Sequence, residues 1–156
     1  MRTGSRILTG ARAGLVAGAV TGLPSTIDAA VRGGLFDLYR GPGALVAPGA
    51  PPAAQLALTP AVHGAISAGW GGILGVLLPR RATVAWGAAA GLVVFTIDIM
   101  LVGRRVAVIR RLPLLPQVLD HVLFGAVTGA LISRDRRRRP AAGRRRGGGS
   151  AAGAAP

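Results

Sequence analysis

Lysine, glutamate, asparagine and cysteine are all missing from the 156 residues. Without cysteine there is no disulfide, no thiolate nucleophile and no thiolate-bound metal. Without lysine there is no Schiff base and no phosphate-loop lysine, and without glutamate no zinc-protease H-E-x-x-H. Negative charge is scarce as well, because five Asp oppose 19 Arg and leave a net charge of +14. Aromatic residues make up only 4%. What the chain does have is apolar: 51% hydrophobic residues plus 25 glycines bring the share to about two thirds, where globular proteins have about one half. Mean hydropathy is +0.51. Strong basicity on a chain this apolar points to a membrane.

Four stretches have the length of roughly 20 residues that a helix needs to cross the hydrocarbon. They run over about Gly10–Val31, Thr59–Leu78, Thr83–Val102 and Pro113–Ile132. The expected fold is therefore an all-α membrane protein, a four-transmembrane-helix bundle over 1–133, followed by a disordered Arg-rich tail over 134–156. Pro24 and the polar run Ser25, Thr26, Asp28 interrupt the first span, so its last turns are expected to kink or to lie in the interface. A rival reading of this segment is a cleaved leader, with Arg2 and Arg6 ahead of the apolar run and Ile27-Asp28-Ala29 as a cleavage-like site. Its Ala/Gly-rich apolar region would be weak. Residues Arg32–Leu58, rich in Gly and Pro, read as an irregular extramembrane loop in which Leu35–Tyr39 rests at headgroup level. The short Pro79-Arg80-Arg81 turn implies an antiparallel hairpin of spans two and three. Val106–Ile109, bracketed by Arg104, Arg105, Arg110 and Arg111, reads as a surface-hugging connector.

Small residues recur every four positions in each span. Gly10, Gly14, Gly18 and Gly22 form one series, Gly64, Ala68 and Gly72 a second, and Gly71 and Gly75 a third. Gly87 with Gly91 and Gly125 with Gly129 complete the set. Hydrophobic drive between helices is weak in lipid, so backbones brought close along such ridges hold a bundle together, and exposed ridges would let copies self-associate into a homo-oligomer. Arginine counts set the expected orientation. With both termini cytoplasmic, 13 arginines lie inside and six outside, as the positive-inside rule favours.

With about 100° and 1.5 Å per residue, the few ionisable groups fall into one layer. Asp28 ends span one, His63 opens span two, Asp98 nears the end of span three, and Asp120 and His121 open span four. Alternating span directions bring all five toward one membrane face, the outer one on this topology. His63 shares a stripe with Ser67, Gly71 and Gly75, Asp98 lies about 20° from Gly87 and Gly91, and His121 lies about 20° from Thr128. A charge at depth costs roughly 2.5–3.5 kcal/mol on insertion scales, so such groups point inward, pair or serve a pathway. One reading is structural, with the aspartates pairing to Arg104, Arg105, Arg110 and Arg111 or to the histidines. Others are a proton-responsive site, since imidazole titrates near neutrality, a divalent metal on mixed His and Asp ligands, and a haem held by His63 and His121. The sequence demands no cofactor.

Ala65-Ile66-Ser67-Ala68-Gly69 echoes a nucleophile elbow but sits in an apolar helix, so Ser67 reads as a packing hydroxyl and no enzyme is expected. In the tail, Arg134, Arg136, Arg137, Arg138 and Arg139 follow directly on the last span and are placed to hold anionic lipid headgroups, at about 1 kcal/mol each. A nucleic-acid partner would call for basic charge on a polar body with stacking aromatics, and the tail carries none.

His63 followed by Ser67, the Leu78-Pro79-Arg80-Arg81 turn, Trp86-Gly87 with Gly91 at the start of span three, and His121 leading an apolar helix together resemble the YagU-like inner-membrane proteins, small bacterial polytopic proteins without an assigned biochemistry. The resemblance covers roughly Pro60–Ile132. It implies a small multi-span bacterial membrane protein and singles out His63 and His121. This chain departs from it in carrying Asp98 where a histidine is expected, and in a shorter, Pro-rich first loop. The expected function is that of a structural or interaction protein of the bacterial cytoplasmic membrane; the alternative is a proton- or metal-linked transporter or sensor built on the Asp/His layer.

Overall fold

The computed structural model describes residues 3–138; the tail from Arg139 onward, including its expected disorder, lies outside the described residues. All regular structure among the described residues is helical. Four runs are long and apolar enough to cross a bilayer: Thr3–Arg32, Pro52–Leu77, Thr83–Arg105 and Leu114–Arg138. The chain is an all-α bundle of four such runs.

The first run is two helices, α1 (Thr3–Val20) and α2 (Leu23–Arg32). The break falls just before Pro24, whose missing N–H is harmless only in a first helical turn. At the break the Thr21 hydroxyl donates to the Ala17 carbonyl at 2.8 Å. Gly33, at φ 76°, closes α2 in the left-handed conformation that favours glycine.

The expected irregular loop is instead largely helical. Helix α3 spans Leu35–Val46 with Pro42 inside it, and α4 (Pro52–Leu77) begins well ahead of Thr59. Within α3 two glycines serve close approach: Gly41 lies against Ile109, and Gly43 against the backbone of Gln55. Helix α5 (Thr83–Phe95) passes into a π-helical segment, Thr96–Val102, and a short 3-10 turn, Gly103–Arg105. The expected connector is α6 (Ala107–Arg110), whose Ala107 and Arg110 are exposed while Val108 and Ile109 are buried with Ala44 of α3. Helix α7 (Leu114–Arg138) continues past Ile132, so the first five residues of the expected disordered tail are helical.

Two tight antiparallel pairs make the bundle, α1 against α4 and α5 against α7, and α1 also meets α7. The Leu78–Ala82 turn reverses the chain, but α4 and α5 barely touch each other and take different partners. Glycine decides this choice. A Cβ on Gly10 would overlap the Gly71 carbonyl oxygen and lie 2.8 Å from the Gly75 Cα. One on Gly87 would overlap the Gly125 carbonyl oxygen and lie 3.4 Å from the Gly129 Cα. Backbone contact this close supplies the van der Waals and Cα–H···O attraction that replaces hydrophobic drive in lipid. Between the pairs lies a small core of Ala13, Ala17, Leu74, Leu78, Phe124 and Ile132.

Candidate functional site

At one end of the bundle arginines close α4. Arg136 of α7 donates to the carbonyls of Leu78 and Pro79, both at 3.1 Å, and of Gly75 at 3.4 Å. Arg6 of α1 donates to the Val76 carbonyl. The last carbonyls of a helix have no intrahelical donor and carry partial negative charge, so two guanidinium groups are well placed there. Arg136 is thus tied to protein backbone rather than free for lipid, whereas Arg134, Arg137 and Arg138 are exposed. Arg139 lies outside the described residues.

The polar layer is nearer the opposite end, and the structure brings together most of the residues expected there. The Trp70 indole N–H of α4 is shared between the two Asp98 oxygens, each at 3.0 Å. Asp98 sits in the π-helical segment, where the 100° step of an α-helix no longer holds; its hydrogen-bond partner is on α4, while His121 of α7 lies within electrostatic reach. Asp120 accepts the Ser25 backbone N–H at 3.3 Å, and Ser25 in turn accepts from Gln117 Nε2 at 2.7 Å. His63 Nε2 donates to the Gly18 carbonyl at 3.1 Å, and His121 Nδ1 to the Gln117 carbonyl at 2.6 Å. A carbonyl only accepts, so these bonds fix the proton-bearing nitrogen of each ring. The edge of one ring of the Phe95–His121 pair meets the face of the other, with centroids 5.7 Å apart. Asp98 and Asp120 both lie within electrostatic reach of His121 and His63.

Asp28 stands apart from this group and pairs with Arg32 one turn along its own helix, at 2.8 Å. The expected pairing of Asp98 and Asp120 with the arginines of the α5–α7 connection does not occur; each carboxylate is met by a neutral N–H donor. Among the described residues no three His or Asp side chains converge as a metal-binding set. Ser67 is buried where Gly14 and Gly18 leave room for it. Of the expected ridge glycines, Gly10, Gly14, Gly18, Gly87, Gly91, Gly125 and Gly129 meet a facing helix closely. Gly22 has nothing near it, Gly64 and Gly72 meet little beyond the Leu15 and Ile7 side chains, and the close line on α4 is Ser67, Gly71 and Gly75.

Sequence reading missed Gln55. It is 3% exposed, donates to the Ala47 and Pro48 carbonyls at 3.1 and 3.2 Å, and accepts from Arg40 at 2.8 Å. A lone glutamine in an apolar stretch was the available signal. Compared with protein-family models, curated proteins and solved structures, the chain matches none.

Proposed function

We propose that the chain is a non-enzymatic structural or interaction protein of a bacterial cytoplasmic membrane, with both termini cytoplasmic and its basic tail on anionic lipid. The observation that carries this reading is how the polar groups within the spans are used: each ties the chain to itself. Trp70 with Asp98 joins α4 to the π-helical segment, Ser25 with Asp120 joins α2 to α7, and His63 with Gly18 joins α4 to α1. The close glycine lines face one another inside the chain, so a homo-oligomer would have to form through other surfaces. Orientation rests on the arginine excess and on the grouping of Arg6, Arg80 and Arg136 at one end. A reporter active only in the cytoplasm and fused at the C-terminus is expected to give signal; a fusion active only on the far side would reverse the orientation.

A second reading, a proton-responsive sensor or transporter, is favoured by one observation. Asp98 and Asp120 have no cationic side chain bonded to them and share their surroundings with His63 and His121. Trp70 separates the two readings, because the chain has only two tryptophans and Trp86→Phe leaves the indole bonded to Asp98 as sole reporter. The structural reading expects Trp70 emission to stay flat between about pH 5 and 8. In that case Asp98→Asn weakens folding by about 1–3 kcal/mol and changes nothing else. A sigmoidal emission change that Asp98→Asn abolishes would replace the structural reading with the proton-responsive one.

A further inference from the structure

A cavity of about 250 Å³ opens where α2, α3, α6 and the start of α7 meet, at the end of the bundle away from the arginine-capped end of α4. Its walls carry Asp28, Arg32, Asp37 and Arg111, and its lining includes Ser25 and Gln117. The charges are only partly used. Asp28 and Asp37 each give one oxygen to an arginine of their own helix, Arg32 and Arg40 respectively, both at 2.8 Å. Arg111 has no carboxylate partner among the described residues. Gln117, 7% exposed, gives its N–H to Ser25 and leaves its amide oxygen without a donor among the described residues.

A simple anion entering here meets two carboxylates, and a simple cation meets two guanidinium groups. A small group bearing both charges a few ångströms apart satisfies the whole lining. Carboxylates and an amide oxygen accept from a primary ammonium, and a guanidinium takes a phosphate oxygen in its planar fork. We propose that this cavity binds a phosphoethanolamine group, its ammonium toward Asp28, Asp37 and Gln117 and its phosphodiester toward Arg111. The group comes from the headgroup of phosphatidylethanolamine or from soluble glycerophosphoethanolamine. The proposal rests on the chain spanning a bilayer and is independent of the functional reading above.

The test exchanges the full-length protein into mixed micelles holding equimolar phosphatidylethanolamine, phosphatidylcholine and phosphatidylglycerol with the same acyl chains, and reads retained lipid by native mass spectrometry. Phosphatidylcholine keeps both charges but has no ammonium N–H, and phosphatidylglycerol has no ammonium. Phosphatidylethanolamine is expected to be retained about five-fold over either, a preference of the size that a charge-assisted hydrogen bond supplies. Arg111→Gln and Asp37→Asn both change exposed side chains; Asp37→Asn should bring the preference to within about two-fold, whereas Arg111→Gln removes the contact that all three lipids share and should lower the retention of each about five-fold. Displacement by millimolar glycerophosphoethanolamine assigns the soluble source as sufficient, and retention against it assigns the lipid. Equal retention of the three lipids, a preference unchanged in Asp37→Asn, or total retention unchanged in Arg111→Gln overturns the proposal.

Discussion

Gly71→Ala is expected to destabilise the bundle by about 3 kcal/mol, the upper end of the usual overpacking penalty, while Gly69→Ala, two positions away on the same helix, is not. A Cβ on Gly71 would overlap the Gly10 carbonyl oxygen and sit 2.7 Å from the Gly14 Cα. Both obstacles are backbone, so no rotamer change makes room and α1 must move away from α4. Moving it loosens the neighbouring contacts at Gly10 and Gly14 as well, and the bonds to His63 and Arg6 with them. A Cβ on Gly69 meets nothing within 4 Å, and the exchange raises helix propensity by up to about 1 kcal/mol. Gly125→Ala tests the other pair, since its Cβ would overlap the Gly87 carbonyl oxygen and lie 2.9 Å from the Gly91 amide nitrogen. Reversible denaturation in mixed detergent measures all three. Equal stability of the Gly71 and Gly69 variants would mean that the helices are not held by backbone contact.

The same glycines explain what could be read from sequence and what could not. Spacing of four along an apolar helix is a periodic signal, so the α1 line at Gly10, Gly14 and Gly18 and the lines of α5 and α7 are visible without coordinates. On α4 two lines compete, Gly64–Ala68–Gly72 and Ser67–Gly71–Gly75. Composition alone does not rank them, because the choice is made by the rotation of α4 against α1. The stripe shared by His63, Ser67, Gly71 and Gly75 held the answer, since a polar side chain in a span points toward protein rather than lipid. Helix α3 was hidden because Gly41-Pro42-Gly43 has the composition of a turn. What makes it a helix is tertiary, the fit of two glycines against Ile109 and Gln55. The bond from Trp70 to Asp98 is not legible in the sequence, because angular counting assumes an unbroken α-helix and Asp98 sits in a π-helical segment.

Gln55→Met should release α3 while leaving the four long runs in place. Methionine keeps the length of the side chain and removes every hydrogen bond that it makes. The Arg40 guanidinium loses this acceptor at 2.8 Å and keeps Asp37, the Pro48 carbonyl loses its side-chain donor, and the Ala47 carbonyl is left with the Ala50 N–H at 3.1 Å. A bond to a charged group is worth about 1.5–3 kcal/mol and one between neutral groups about 0.5–1.5 kcal/mol; the two carbonyls are not left buried without a partner, since Ala47 keeps Ala50 and Pro48 is exposed. About 3 kcal/mol is a reasonable net loss, which is roughly a hundred-fold in an opening equilibrium. The loss is local, because α3 rests chiefly on α4, with lesser contacts to α6 and α2, and a segment held by so few neighbours opens on its own. Amide exchange over residues 35–46 should therefore quicken about a hundred-fold, with α1, α5 and α7 unchanged. Gln55→Glu separates the contributions, since it keeps an acceptor for Arg40 but turns an oxygen toward the two carbonyls. Exchange as fast as in the Met variant assigns the anchoring to the carbonyl bonds, and near-native protection assigns it to Arg40. Undiminished protection in Gln55→Met would leave α3 held by the close contacts at Gly41 and Gly43.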